Sequence, residues 1–213
     1  MGDTIDRRRR QLLLGGAAGL LTLPALGAKR LLTPRQTAGP FYPDLPLLDR
    51  DNDLTRVQGR AGVAEGRIAD LSGRVLDASG RPLSGVRVEI WQCDNNGRYR
   101  HSRDDRQVPM DENFQGFGHS YSDKQGRYRF RSIRPVPYPG RTPHIHAAVL
   151  REGMPPFVTQ IYVAGEPRNS EDFLFRRIPT ELRPLVLADF RPVTGREAEL
   201  AAQFDFVLVE GIA

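Results

Sequence analysis

Leu71-Ser72-Gly73-Arg74-Val75-Leu76-Asp77-Ala78-Ser79-Gly80-Arg81-Pro82 runs from an apolar stretch into a Gly/Pro turn, after which Val86, Val88 and Ile90 alternate with Arg87 and Glu89. A period of two sends successive side chains to opposite faces, so this stretch predicts strand, turn and half-buried strand. The pattern recurs downstream. Asp94-Asn95-Asn96-Gly97 is a turn, and Asp123-Lys124-Gln125-Gly126 is another that leads into alternating Arg127-Tyr128-Arg129-Phe130-Arg131. Further strands are expected from His144 to Leu150, from Phe157 to Val163, and from Phe204 to Val209 with Phe204, Phe206 and Leu208 on one face. Only Glu181 to Leu187 and Arg196 to Gln203 read as helical, and both are short. Many short strands between Gly/Pro turns predict an all-β fold, an antiparallel β-sandwich.

Upstream the texture differs. Residues 29–70 are rich in Pro, Gly and charge, with no sustained period, and read as an irregular N-terminal arm around the turn-prone Gly39-Pro40-Phe41-Tyr42-Pro43. Residues 1–28 place Arg7 to Arg10 before an apolar stretch, Leu12 to Leu26, and end in small residues, the plan of a cleavable signal segment. Arg9-Arg10-Gln11-Leu12-Leu13 resembles the twin-arginine export pattern, which carries folded proteins to the periplasm or beyond. An uncleaved anchor is the alternative, although the stretch is short for a membrane span. The expected organisation is a signal at 1–28, the arm at 29–70 and the sandwich at 71–213.

With 213 residues, 39% of them hydrophobic, the chain suffices for one medium domain with a real core. The net charge is +5 and the pI about 9.8, yet the charges are mixed along the chain rather than gathered in a basic block, so no nucleic-acid partner is expected. The single cysteine, Cys93, excludes an intrachain disulfide and any CxxC site; beside Trp91 it reads as a small buried apolar residue.

His144-Ile145-His146 carries the sharpest chemical signal. On a strand its two imidazoles project to one face, half of a transition-metal site, while Ile145, Ala147 and Val149 take the other face. The competing reading is two histidines that share a solvent face. Imidazole suits zinc, copper and iron alike, and with thiolates scarce the remaining ligands would be oxygens. Tyr99, in Gly97-Arg98-Tyr99-Arg100-His101, and Tyr138, in Pro137-Tyr138-Pro139-Gly140, are candidates, although tyrosines in sandwiches are usually core or rim residues. A phenol near pKa 10 must ionise to coordinate, which favours a hard, highly charged cation such as ferric iron. His101 and His119 read as ordinary polar positions.

Seven segments in order resemble the intradiol ring-cleavage dioxygenases, most closely the protocatechuate 3,4-dioxygenase branch. They are Thr37 to Pro43 (TAGPFYP), Gly73 to Pro82 (GRVLDASGRP), Glu89 to His101 (EIWQCDNNGRYRH), Pro109 to Gly118 (PMDENFQGFG), Asp123 to Phe130 (DKQGRYRF), Pro137 to His146 (PYPGRTPHIH) and Thr159 to Tyr162 (TQIY). The resemblance implies one mononuclear non-haem ferric ion, Fe(III), held by Tyr99, Tyr138, His144 and His146. It also implies that Tyr138 leaves the metal when substrate binds, that Arg141 stabilises negative charge on the ring, and that Gln160 lines the site. The implied partners are a catechol-type aromatic and dioxygen, and the implied product is a cis,cis-muconate. The interval from Tyr138 to His144 is shorter than in better-known relatives, so an open or differently shaped pocket is expected. The long N-terminal helical domain of the catechol 1,2-dioxygenase branch is absent.

Two other readings compete. The pattern from Gly73 to Phe130 also resembles non-catalytic transthyretin-like and Cna-B-like modules, whose strand–turn–strand plan is shared. A zinc or copper site built on the histidine pair alone would keep the metal and change the enzyme. A homo-oligomer is compatible with the sequence, because the arm could wrap its own sandwich or a neighbour's.

Overall fold

The structure, a computed structural model, describes residues 29–49, 51–195 and 197–209, so the signal expected at 1–28 lies outside the described residues. The chain forms β1 (Ile68–Asp77), β2 (Arg87–Trp91), β3 (Phe117–Tyr121), β4 (Arg127–Ile133), β5 (His144–Leu150) and β6 (Phe157–Val163). After β6 come a 3-10 turn, Pro167–Ser170, a short helix α1 (Phe173–Arg176) and a 3-10 segment, Thr180–Val186. The short strands β7 (Leu187–Ala188), β8 (Arg191–Pro192), β9 (Leu200–Gln203) and β10 (Phe206–Leu208) complete it.

Two five-stranded sheets result. In one, β1 pairs along one edge with β4 and along the other with β9 and then β10, and β8 extends beyond β9. In the other the order is β3-β2-β5-β6-β7. Alternation explains the core between them: Leu71, Val75, Tyr128, Phe130 and Phe206 from the first sheet cluster with Val88, Ile90, Ile145, Ala147 and Val149 from the second.

The sheets are mixed rather than antiparallel as expected. β1 runs parallel to β9 and β10, and β6 parallel to β7. Hairpins produce antiparallel neighbours, whereas the chain leaves β6 through helical segments that can return it in the same direction. Of the stretch Arg196 to Gln203, also expected to be helical, residue 196 lies outside the described residues and 197–203 are not helical. Leu200 and Ala202 are buried while Ala201 and Gln203 are not, a period of two that the ladder with β1 selects. Of the stretch expected to be helical at Glu181 to Leu187, all but Leu187, which begins β7, lies in a 3-10 segment; Pro184 inside it has no N–H to donate to an α-helix.

The arm stays irregular until β1 begins at Ile68, and it lies against its own chain. Arg30 N–H donates to Ala78 O, Thr33 N–H to Val207 O, and Gln36 N–H to Val158 O. Gly39 lies against His146 and Tyr42 against Trp91, so the arm covers the face of the second sheet turned away from the core. All of β5 except Leu150 is consequently buried on both faces.

Candidate active site

β5 is flanked by β2 and β6, which fixes its register: His146 lies opposite Trp91 and Gln160, and His144 opposite Tyr162. Ile145, Ala147 and Val149 enter the core between the sheets, and the two histidines point away from it. Each is nevertheless only 1% exposed, so they do not share a solvent face. His144 Nδ1 donates to Thr142 O at 2.6 Å, which leaves its Nε2 with a free lone pair 3.3 Å from His146 Nε2. Trp91 stacks flat on His146, with centroids 5.0 Å apart and planes 7° apart. Burial, followed by the Arg141 charge, pushes the His144 pKa down to about 3. Burial, then His144 and Arg141, lowers that of His146 as well. Both rings are neutral near pH 7 and present nitrogen lone pairs.

The tyrosines close a cycle of four rings. Centroids lie 4.9 Å apart for His144–His146, 5.5 Å for Tyr138–His144, 5.5 Å for Tyr99–Tyr138 and 6.2 Å for Tyr99–His146. Tyr99 is set by a loop that Asp94 and Asp104 tie down. Asp94 Oδ1 accepts the N–H groups of Asn96 and Arg98, and Asp104 Oδ2 accepts that of Tyr99. Its ring stacks on Phe41 of the arm at 4.7 Å. The Tyr99 hydroxyl is buried and makes no hydrogen bond of normal geometry, with the Tyr138 hydroxyl as its polar neighbour. Tyr138 is half-buried, before a Pro139–Gly140 turn in which Gly140 takes φ +79° and Arg141 N–H returns to Tyr138 O at 2.9 Å. That turn sets Tyr138 and Arg141 side by side. Burial raises both phenol pKa values, and for Tyr138 the Arg141 charge opposes the rise.

Arg141 is held on three sides. Its Nε donates to Asp172 at 2.8 Å and its Nη2 to Gln160 Oε1 at 2.6 Å, and its Nη1 stands 3.4 Å from the Tyr138 hydroxyl. Gln160 is fully buried and donates its own N–H to Thr37 O at 3.1 Å. Beside this group opens a cleft of about 480 Å³ lined by Tyr138, Gly140, Arg141, Thr142, Arg168 and Asp172 among others. A larger cleft of about 710 Å³, around Arg74, Arg127 and Tyr128, contains no histidine or cysteine and lies away from this chemistry.

All six candidate side chains, Tyr99, Tyr138, Arg141, His144, His146 and Gln160, therefore meet in one place. His101, buried but occupied with Arg103 N–H and Asp44, stands outside the cycle, and His119 sits on β3 opposite Glu89. Cys93 is buried, and burial followed by the Asp94 charge pushes its thiol up to about 12, so it stays protonated. Among the described residues no three His, Cys, Asp or Glu side chains gather as a metal set. Two residues lay beyond the sequence reading: Asp172, which anchors Arg141, and Arg106, whose guanidinium lies 5.2 Å from the Tyr138 ring centroid. Asp172 followed by an apolar run was a helix N-cap signal that could have found the first.

Known proteins similar to this chain are numerous. The sequence profile of a family described as Dioxygenase matches residues 37–210. The beta chain of protocatechuate 3,4-dioxygenase from Burkholderia cepacia is 35% identical over 196 residues, 88% of this chain and 83% of that one. Hydroxyquinol 1,2-dioxygenase from Rhodococcus opacus is 33% identical over 187 residues, 78% of this chain and 58% of that one. Among solved structures, the dioxygenase domain of a dioxygenase–carbohydrate-binding fusion from Streptomyces sp. SirexAA-E superposes with a TM-score of 0.63 at 30% identity, covering 84% of this chain and 99% of that domain.

Proposed function

Because this chain belongs to the intradiol ring-cleavage dioxygenases, we propose that it holds one mononuclear non-haem ferric ion on Tyr99, Tyr138, His144 and His146. It then opens a catechol-type ring with dioxygen to a cis,cis-muconate-type product. The observation that carries the metal assignment is the four-ring cycle, with two imidazole Nε2 atoms 3.3 Å apart and the buried Tyr99 hydroxyl beside that of Tyr138. The donors fit. Two phenols whose pKa is raised by burial ionise only beside a strongly charged, hard cation, and two neutral imidazoles complete the set. When bound, ferric iron acidifies a chelating catechol and makes its ring electron-rich enough to react with dioxygen.

The chain's own groups account for the remaining chemistry. Tyr99, sealed under Phe41, is the permanent oxygen donor. Tyr138, half-buried and lining the cleft, is the exchangeable one, and its phenolate oxygen is placed to take a proton from an incoming catechol. Arg141 offers Nη1 to negative charge developing on the ring, in a site dry enough for that contact to count. Gln160 fixes the other edge of the guanidinium. The two sheets are read as the layers of a β-sandwich, with residues 29–70 as its covering arm. The Arg9-Arg10 leader is read as directing export, which makes extracellular catechols the natural substrates. A non-catalytic module is not favoured by a family match that spans residues 37–210.

The test is a visible spectrum of the iron-loaded protein before and after anaerobic addition of catechol, hydroxyquinol or protocatechuate, followed by admission of oxygen. A red-to-purple tyrosinate-to-iron band that shifts with substrate and gives way to a muconate-type product is the expected result. A colourless protein that consumes no oxygen with any of the three would overturn the assignment.

A further inference from the structure

We infer that Asp172 is a positioning residue for this reaction: its buried carboxylate fixes Arg141 so that a single guanidinium nitrogen, Nη1, faces Tyr138, and it aligns His144 through Thr142. The inference rests on the roles given above to Arg141 and His144. Asp172 has a fully buried side chain and spends both oxygens on donors. Oδ2 accepts Arg141 Nε–H at 2.8 Å and Thr142 N–H at 3.0 Å, and Oδ1 accepts Leu174 N–H at 3.0 Å and Phe175 N–H at 2.9 Å, capping α1.

The guanidinium is thereby pinned at Nε by Asp172 and at Nη2 by Gln160. A planar group held at two edges cannot rotate, and the edge left over is the one beside the Tyr138 hydroxyl. The same carboxylate reaches the histidine. Thr142 is held at N–H by Asp172 and at Oγ1 by Asn169 (2.8 Å), and its carbonyl accepts His144 Nδ1–H, which sets the ring's tautomer and direction. Only a carboxylate can do this. All four of its contacts come from donors, so the amide of an asparagine would turn N–H groups either toward Arg141 and Thr142 or toward the two helix N–H groups.

The experiment compares iron-loaded wild type with Asp172→Asn, Asp172→Ser, Arg141→Leu and the doubles D172N/R141L and D172S/R141L. Asp172→Ser keeps a cap for α1 while releasing Arg141, so it stands in if the asparagine variant does not fold. The measurements are iron content, the anaerobic catechol-shifted spectrum, and kcat and KM. Iron content and the shifted spectrum are expected to persist in the single variants, with kcat falling roughly 10–100-fold and KM changing far less. In the Arg141→Leu background the same substitutions should lower kcat less than about twofold, because Asn169 still holds Thr142 and so keeps His144 directed, while the guanidinium that Asp172 positions is gone. A fall as large as in wild type would mean a merely structural role and would overturn the inference. Wild type inactive on every catechol would count against the proposed function instead. Asp172 would then be judged from a crystal structure of Asp172→Ser, where an undisplaced Arg141 Nη1 overturns the inference and a released guanidinium supports it.

Discussion

Burial decides what each side chain around the four-ring cycle can be. Tyr99 and Tyr138 keep their protons because a phenolate in an apolar setting is costly, while His144 and His146 shed theirs for the corresponding reason. The donor set is therefore neutral by itself, and the charges against it include Arg141, balanced by Asp172, and Arg106, balanced by Asp104. Replacing Arg141 with Leu removes the cation whose Nη1 stands beside the Tyr138 hydroxyl. Asp172 would still receive three backbone N–H groups, so the fold should survive. The expected outcome is unchanged iron content with kcat lowered by about 10²–10³, the range for losing one preorganised charge-stabilising donor. Unchanged turnover in steady-state kinetics would remove Arg141 from the chemistry. The histidine pair was legible from a period of two, whereas Tyr99, Tyr138, Arg141 and Gln160 were legible only as members of ordered motifs. The pairing of Asp172 with Arg141 was not, since the two lie 31 residues apart and the local N-cap signal marks Asp172 without its partner.

Among the elements, the arm and the end of β1 show how loops without a period can still be decisive. Gly39 sits in the arm at φ +67°, and a Cβ built there would lie 3.2 Å from His146 Cε1. A Gly39→Ala variant therefore meets both left-handed strain and the imidazole it covers. It should lose about 1–2 kcal/mol in urea unfolding and bind iron more weakly; full stability with full iron affinity would show that the arm does not press on the site. At the end of β1, Asp77 accepts from Ser79 N–H, Ser79 Oγ–H, Arg81 N–H and Arg81 Nε–H, which together outweigh its desolvation and lower its pKa to about 2. A depressed carboxylate stabilises the fold above its ordinary pKa near 3.8, and the contribution fades as pH falls from there toward 2. With the exposed Arg81 partner screened by water, it is worth about 1 kcal/mol. Asp77→Asn should accordingly unfold at lower urea at pH 6 and approach wild type as pH drops below 4. A constant gap across that range would assign the stability to the turn's shape instead. The strands with clear alternation, β2, β4, β5 and β6, could be read from sequence. β9 could not, because an Ala-rich stretch suits a helix until β1 offers it a ladder.

For the whole molecule, the placement of the cycle couples metal binding to folding. It lies on the outer face of the second sheet, closed over by the arm at Phe41 and by the chain from Pro137 to Thr142, which Asn169 and Asp172 tie to the segment after β6. Segments far apart in sequence thus converge on one point, and the unfolded chain cannot assemble it. Tyr99 Oη and His146 Nδ1 are buried there without a hydrogen bond of normal geometry, and a bound cation would give Tyr99 Oη a partner. A ligand that binds only the folded state adds stability according to its free concentration, about 4 kcal/mol at a thousand times its Kd. For a chain of 213 residues this corresponds to a rise in Tm of roughly 10 °C. Chelating the iron should lower Tm by that amount, and adding ferric iron back should restore it in a concentration-dependent way. The same titration on His146→Ala, which removes one nitrogen donor from the cycle, should leave Tm nearly independent of iron. A wild-type Tm indifferent to iron, or a His146→Ala protein that responds as fully as wild type, would place the metal away from the four rings.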